Sequence, residues 1–143
     1  MDLAVMARVV ALIENQEMAD SLRHCLSGHG CEPVLAGSFE SAKALIAEQG
    51  CDLIISEVHL ANGGSVFEFL EFAKSLPDSA EIPFVLLSVK PSKVANILHD
   101  SLLFTASQLG AAKYISMEEF DCAALVKELA EYLGAADLSQ DLK

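Results

Sequence analysis

Two places in the chain set chemistry-bearing side chains at the ends of apolar runs. The first run, Arg8 to Ile13, stops at Glu14-Asn15. A second, Leu53-Ile54-Ile55, leads into Ser56-Glu57 and then a glycine loop, Asn62-Gly63-Gly64. Short β-branched and leucine runs bounded by turn residues predict strands buried on both faces. In open α/β sheets the site lies outside the carboxyl ends of the strands. Glu57 is therefore the expected centre of any site, with Glu14 facing the same crevice. Two close carboxylates disfavour joint ionisation, so one should titrate high or a divalent cation should bridge them weakly.

The other reactive residue types form no such group. His24, His29, His59 and His99 are dispersed and read as surface residues rather than a shared metal set. Asn62-Gly63-Gly64 lacks the spacing of a phosphate-binding loop and follows the third strand instead of the first, so it reads as a turn. Phe67, Phe69 and Phe72 read as core packing. Cys25, Cys31, Cys51 and Cys122 show no paired spacing. With no signal-peptide pattern at Met1–Val10, they read as buried, inert thiols of a reducing cytosol, which implies a cytoplasmic protein.

The elements that must position Glu57 alternate along the chain. After the first strand, Met18, Leu22, Cys25 and Leu26 fall on one helical face, closed by Gly28 and Gly30. Cys31–Ala36 is a second strand, and Pro33 within it predicts an edge position. Gly37-Ser38 predicts a turn and helix cap. Ala42, Leu45 and Ile46 give the next helix its inner face until Gly50. The Glu57 strand is third. Val66, Phe67, Phe69, Leu70, Ala73 and Leu76 then recur at helical spacing until Pro77. Ile82–Val89 is a fourth strand, Lys90–Leu109 a long mixed stretch, Ala112–Ser116 a fifth strand. Phe120, Leu125, Leu129 and Tyr132 mark a last helix, and residues after Gly134 read as a tail. Five strands alternating with helices predict one α/β domain over 1–143, core about 7–133. It is a doubly wound five-stranded parallel sheet in the flavodoxin-like order 2-1-3-4-5.

Composition bounds the function. The chain has 143 residues, 52% hydrophobic, and a net charge of −12 from nine basic and twenty-one acidic residues. Phosphate backbones are bound by clustered Lys and Arg, so nucleic acid is not an expected partner. No apolar run reaches the length of a membrane span, so no membrane partner is expected.

Several stretches together resemble the receiver domains of bacterial response regulators, over roughly Ala7 to Leu133. Asp52-Leu53-Ile54-Ile55, then a carboxylate and Leu60, is similar to that family's phosphoacceptor strand. Ile82-Pro83-Phe84-Val85-Leu86-Leu87-Ser88 resembles its fourth strand. Leu109-Gly110-Ala111 with Tyr114-Ile115 resembles the approach to its fifth. The resemblance implies roles. Glu57 stands where the family has its phosphoacceptor Asp. Glu14-Asn15 stands where it has an acidic pair for magnesium, and His59 where a backbone carbonyl binds the metal. Ser88 and Tyr114 match its hydroxyl and aromatic switch pair. Met117 occupies the position of its phosphoryl-contacting Lys, and Glu118 that of the following Pro.

Phosphoryl transfer depends on positioning and on cations that neutralise developing charge. Asn15 removes one ligand charge, Met117 removes a fixed cation, and Glu57 displaces the acceptor oxygens by the length of a methylene. A misplacement of about 1 Å can cost on the order of a hundredfold. The expectation is a degenerate receiver, or pseudo-receiver. It would have no enzymatic activity, no resident cofactor beyond a weakly held Mg2+, and no metal of its own. It would act in two-component signalling by binding another signalling protein or a second copy of itself, with any output in that partner. The family's output face implies a binding face here that includes Tyr114 and Lys93, on a Lys90–Leu109 stretch longer than the family's. Two alternatives stay open: a working receiver phosphorylated by a histidine kinase at Glu57 or a neighbour, and a small-molecule or nucleotide binder on a flavodoxin-like fold.

Overall fold

The structure, a computed structural model, describes residues 7–58, 66–77, 79–89 and 99–132, with 99 described by its backbone alone. The strands are β1 (Ala7–Leu12), β2 (Cys31–Ala36), β3 (Leu53–Glu57), β4 (Phe84–Val89) and β5 (Lys113–Met117). The helices among the described residues are α1 (Gln16–Gly28), α2 (Phe39–Gln49), α3 (Val66–Ser75), α4 (His99–Gln108) and α5 (Cys122–Leu129). The strands pair in parallel in the order β2-β1-β3-β4-β5, as expected.

Side chains alternate across each strand, and this divides the core in two. Val9 and Ala11 of β1 pack with Leu22 and Leu26 of α1 and Leu125 and Leu129 of α5. Val10 and Leu12 face the other way, toward Ile46 of α2, Phe69 and Leu70 of α3, and Ala106 of α4. Leu53, Ile54, Ile55, Val85 and Leu86 are fully buried, so β3 and β4 are covered on both faces. The central rings meet edge-on, Phe69 lying 5.3 Å from Phe84 and 5.5 Å from Phe39.

Caps set the helix starts. Asn15 Oδ1 accepts from the Met18 N–H at 2.8 Å. Ser38 Oγ accepts from the Ser41 N–H at 3.1 Å, and Asp121 Oδ1 from the Ala124 N–H at 3.1 Å. Each satisfies a donor the first helical turn leaves unpaired. Pro33 sits in β2 at the sheet edge, where its missing N–H costs no ladder bond. β4 begins at Phe84 rather than Ile82. Lys74 Nζ donates to the Ala80 and Ile82 carbonyls at 3.1 and 2.9 Å and holds the approach to the strand as a turn.

One sequence expectation is corrected here. Cys25 and Cys122 are not separate thiols; they form a disulfide across 97 residues, with Cα atoms 5.6 Å apart. Their linear spacing carries no sign of this, because only the wrap of α1 and α5 onto one face of the sheet brings them together. Cys31 and Cys51 are free. Cys31 is buried and Cys51 half-buried; burial raises both thiols, Cys51 to about 11, which disfavours the thiolate.

Candidate functional site: an acidic cleft at the strand ends

Parallel pairing of Leu12 with Ser56 places the end of β3 beside the loop that leaves β1. Glu57 turns toward that loop. Its Oε1 accepts the Glu14 backbone N–H at 2.6 Å, and the Asn15 backbone N–H also bonds to its carboxylate. Burial pushes the Glu57 carboxyl up, and the nearby Glu14 charge pushes the same way; the two backbone hydrogen bonds oppose them. The raised carboxyl anticipated from two neighbouring carboxylates is present, but burial is its leading cause.

Glu57 forms part of the floor of an open cleft of about 520 Å³. Asn15 and, from α1, Glu17, Met18 and Ser21 make one wall. Val89 at the end of β4 and Glu119 and Phe120 of the β5–α5 loop make the other. Three carboxylates thus line the cleft, and no basic side chain does among the described residues. Glu17 and Glu119 were not singled out in the sequence; Phe120, expected on the last helix, lies instead in the loop before Cys122. Glu17 could have been, since a residue two positions past a helix cap borders whatever the cap borders. Glu119 and Phe120 lie in a loop whose direction no periodicity reports.

The donor set fits a tightly held magnesium poorly. Mg2+ demands near-octahedral oxygen coordination. Asn15 Oδ1 is committed to capping α1, and Glu57 Oε1 to a backbone N–H. His59 and the Asn62-Gly63-Gly64 turn lie outside the described residues.

The second half of the expected constellation sits on β4 and β5. Tyr114 pairs with Leu86, which puts Ser88 two residues along on the same face. Ser88 is only 7% exposed, and it shares a side-chain hydrogen bond with Tyr114. Burial nevertheless keeps the phenol raised. Tyr114 is half-buried against the cluster that includes Ala106 of α4. Met117 pairs with Val89 at the end of β5 and packs against the other cluster, so the position carries apolar contact and no charge. Lys93 lies outside the described residues.

This architecture matches solved structures over most of the chain. Chemotaxis protein CheY4 of Vibrio cholerae is similar at 22% identity and a TM-score of 0.76, over 90% of this chain and 100% of that one. The fold is that of a response regulator receiver domain. The receiver domain of a signal transduction histidine kinase from Syntrophus aciditrophicus is similar at 19% identity and a TM-score of 0.73, over 90% of this chain and 91% of that one. The receiver domain of the Pseudomonas aeruginosa PAO1 sensor histidine kinase PA1611, solved with magnesium coordinated in its active site cleft, is similar at 15% identity and a TM-score of 0.74, over 91% and 99% of the two chains. No family model matches the sequence, and no curated protein does. The likeness is one of fold, carried by a sequence far from its neighbours. No helix among the described residues is long and apolar enough to cross a membrane.

Proposed function

We propose that this chain is a receiver-fold signalling module that works by protein binding and does not take up a phosphoryl group. The observation that carries the reading is the engagement of Glu57. An acceptor carboxylate must present an oxygen to the incoming phosphorus, with cations beside it. Here one oxygen is bound to the Glu14 backbone, in a cleft whose other charged walls are Glu17 and Glu119. Both features oppose the approach of a phosphate dianion. Magnesium, on this reading, binds weakly at most.

The partner is another signalling protein or a second copy of the chain. The binding face proposed is the one built by α4, β5 and α5. It holds Tyr114, the partner of the buried Ser88 on β4, and α4 presents Phe104 at 66% and Leu103 at 42% exposure. Exposed apolar side chains beside a partly exposed tyrosine suit an interface anchor. Substituting Phe104→Glu or Tyr114→Ala is expected to weaken association while circular dichroism stays unchanged. Equal binding by both variants would move the face elsewhere.

The alternative of a working receiver has the same fold behind it, so the deciding experiment is chemical. The protein is incubated with acetyl phosphate and magnesium and weighed intact. No phosphoryl adduct and no beryllofluoride-induced shift are expected. An adduct mapped to Glu57 at substantial occupancy would overturn the proposal.

A further inference from the structure

We propose that Cys25 and Cys122 are a reversible thiol–disulfide pair whose bond clamps the two walls of the acidic cleft together. The inference does not rest on the fate of Glu57. It rests on where the two cysteines lie. Cys25 is one helical turn beyond Ser21, the last α1 residue in the cleft wall, and Cys122 opens α5 two residues after Phe120 in the opposite wall. The bond therefore joins the element carrying one wall to the element whose lead-in carries the other.

Three features suit this bond to reversal. First, α1 and α5 meet without it: Leu22, Leu26, Leu125 and Leu129 are fully buried in one cluster on the same sheet face, so reduction leaves the helices docked. Second, the two sulfurs are unequally reachable. Cys25 is buried at 5% exposure, whereas Cys122 is only half-buried. Third, a ring nitrogen of His29 lies within 4.8 Å of both sulfurs. The ring is oriented by its Nδ1, which donates to the Cys25 carbonyl at 2.9 Å. The carbonyl can only accept, so Nδ1 carries the proton.

The exchange balances with a small thiol of the glutathione class. Its thiolate attacks Cys122 Sγ; the Cys25–Cys122 bond breaks and Cys25 leaves as a thiolate that takes up a proton beside His29. A second small thiolate attacks the glutathione sulfur of the mixed disulfide and releases Cys122. One protein disulfide and two small thiols become two protein thiols and one small disulfide, and a small disulfide drives the reverse. His29 is a positioning residue for the leaving sulfur.

The full chain is equilibrated without oxygen in mixtures of reduced and oxidised glutathione, quenched in acid, unfolded, alkylated and weighed. Two labels are expected in oxidising mixtures, on Cys31 and Cys51, and four in reducing mixtures, with the same curve from either direction. In the four-label state, amides at 16–21 and 118–124 are expected to exchange at least about tenfold faster, with little change at 53–57 and 84–89. Cys122→Ser and, separately, Cys25→Ala should show the fast pattern in every mixture while keeping the parent's circular dichroism. His29→Gln should slow the approach to equilibrium several-fold without moving its midpoint; an equal rate removes His29 from the exchange. Two labels persisting until the chain unfolds would make the bond a fixed structural one, and four labels in every mixture would mean that it does not form. Switching with no change in exchange at the walls would refute the clamp.

Discussion

At the ends of β1 and β3, the polar side chains hold backbone. Asn15 caps α1, and Glu57 accepts from the loop that leads into it. On β4 and β5, Ser88 near the end of one strand and Tyr114 near the start of the next hold each other, across two strands and against the cluster that includes α4. The two regions are built on the same sheet, but their bonds do different things. A side chain bound to nearby backbone fixes a loop. A side chain bound to another across neighbouring strands couples those strands and whatever packs on them. The first region is thus organised as structure, and the second remains a place where a change on one strand is felt on the next.

The largest effect tests whether the first region lacks only its parts. Glu57→Asp combined with Asn15→Asp and Met117→Lys returns the acceptor, the ligand charge and the cation together. Asp caps a helix about as well as Asn, so α1 should keep its start. Labelling by acetyl phosphate with magnesium is expected to rise at least about a hundredfold over the parent. No rise in a folded triple variant would mean that the cleft excludes phosphate for another reason.

Next in size is the cap itself. Asn15→Ala should cost about 1 kcal/mol in urea denaturation, while Asn15→Asp stays near the parent. An alanine variant as stable as the parent would show that Asn15 holds nothing, and the contrast between the two regions would lose one of its two supports.

The second region is tested by a double-mutant cycle. Tyr114→Phe removes a hydroxyl and leaves the Ser88 hydroxyl buried without that partner. A cost of about 0.5–1.5 kcal/mol is expected for each of Tyr114→Phe and Ser88→Ala. The double variant should cost less than their sum, because residues that share a bond do not add. Strict additivity would mean that the two strands are not coupled there.

How much of this was legible in the sequence depends on what kind of contact decides each feature. The strand runs, the cap at Ser38 and the edge proline Pro33 are written in local residue types, and the sheet order follows from them with the handedness of crossovers. Glu57, Ser88 and Tyr114 could be placed because they stand at fixed offsets within strands. The hold of Glu57 on the Glu14 N–H was not legible. It depends on how far an extra methylene reaches across a strand end, which no pattern records. The Cys25–Cys122 bond was hidden for the same reason, at larger scale: the two helices meet only through the winding of the whole chain. The loop residue Glu119 escaped because it belongs to neither a helical nor a strand period, and Phe120 was placed on the last helix because its apolar side chain precedes Leu125 and Leu129 at near-helical spacing.

The smallest effect concerns charge at Glu57, and its sign is fixed by the structure. Burial raises the Glu57 carboxyl above its ordinary 4.5. The folded protein therefore holds that proton more tightly than the unfolded chain does. The resulting stability is present in full below pH 4.5 and is lost as the pH rises through the raised folded value. Glu57→Gln keeps an oxygen to accept the Glu14 N–H but cannot ionise. Relative to the parent, the glutamine variant should gain stability as the pH climbs from 4.5 toward neutrality. The gain should be smaller than the effects above, because the carboxylate is only partly buried and backbone donors favour its charged form. Urea denaturation of both proteins over that range reads it directly. A glutamine variant that instead loses ground as the pH rises would show that the charged form of Glu57 is the one the fold stabilises. The backbone N–H groups of Glu14 and Asn15 would then outweigh burial, and the β1–β3 end would be held together by that charge.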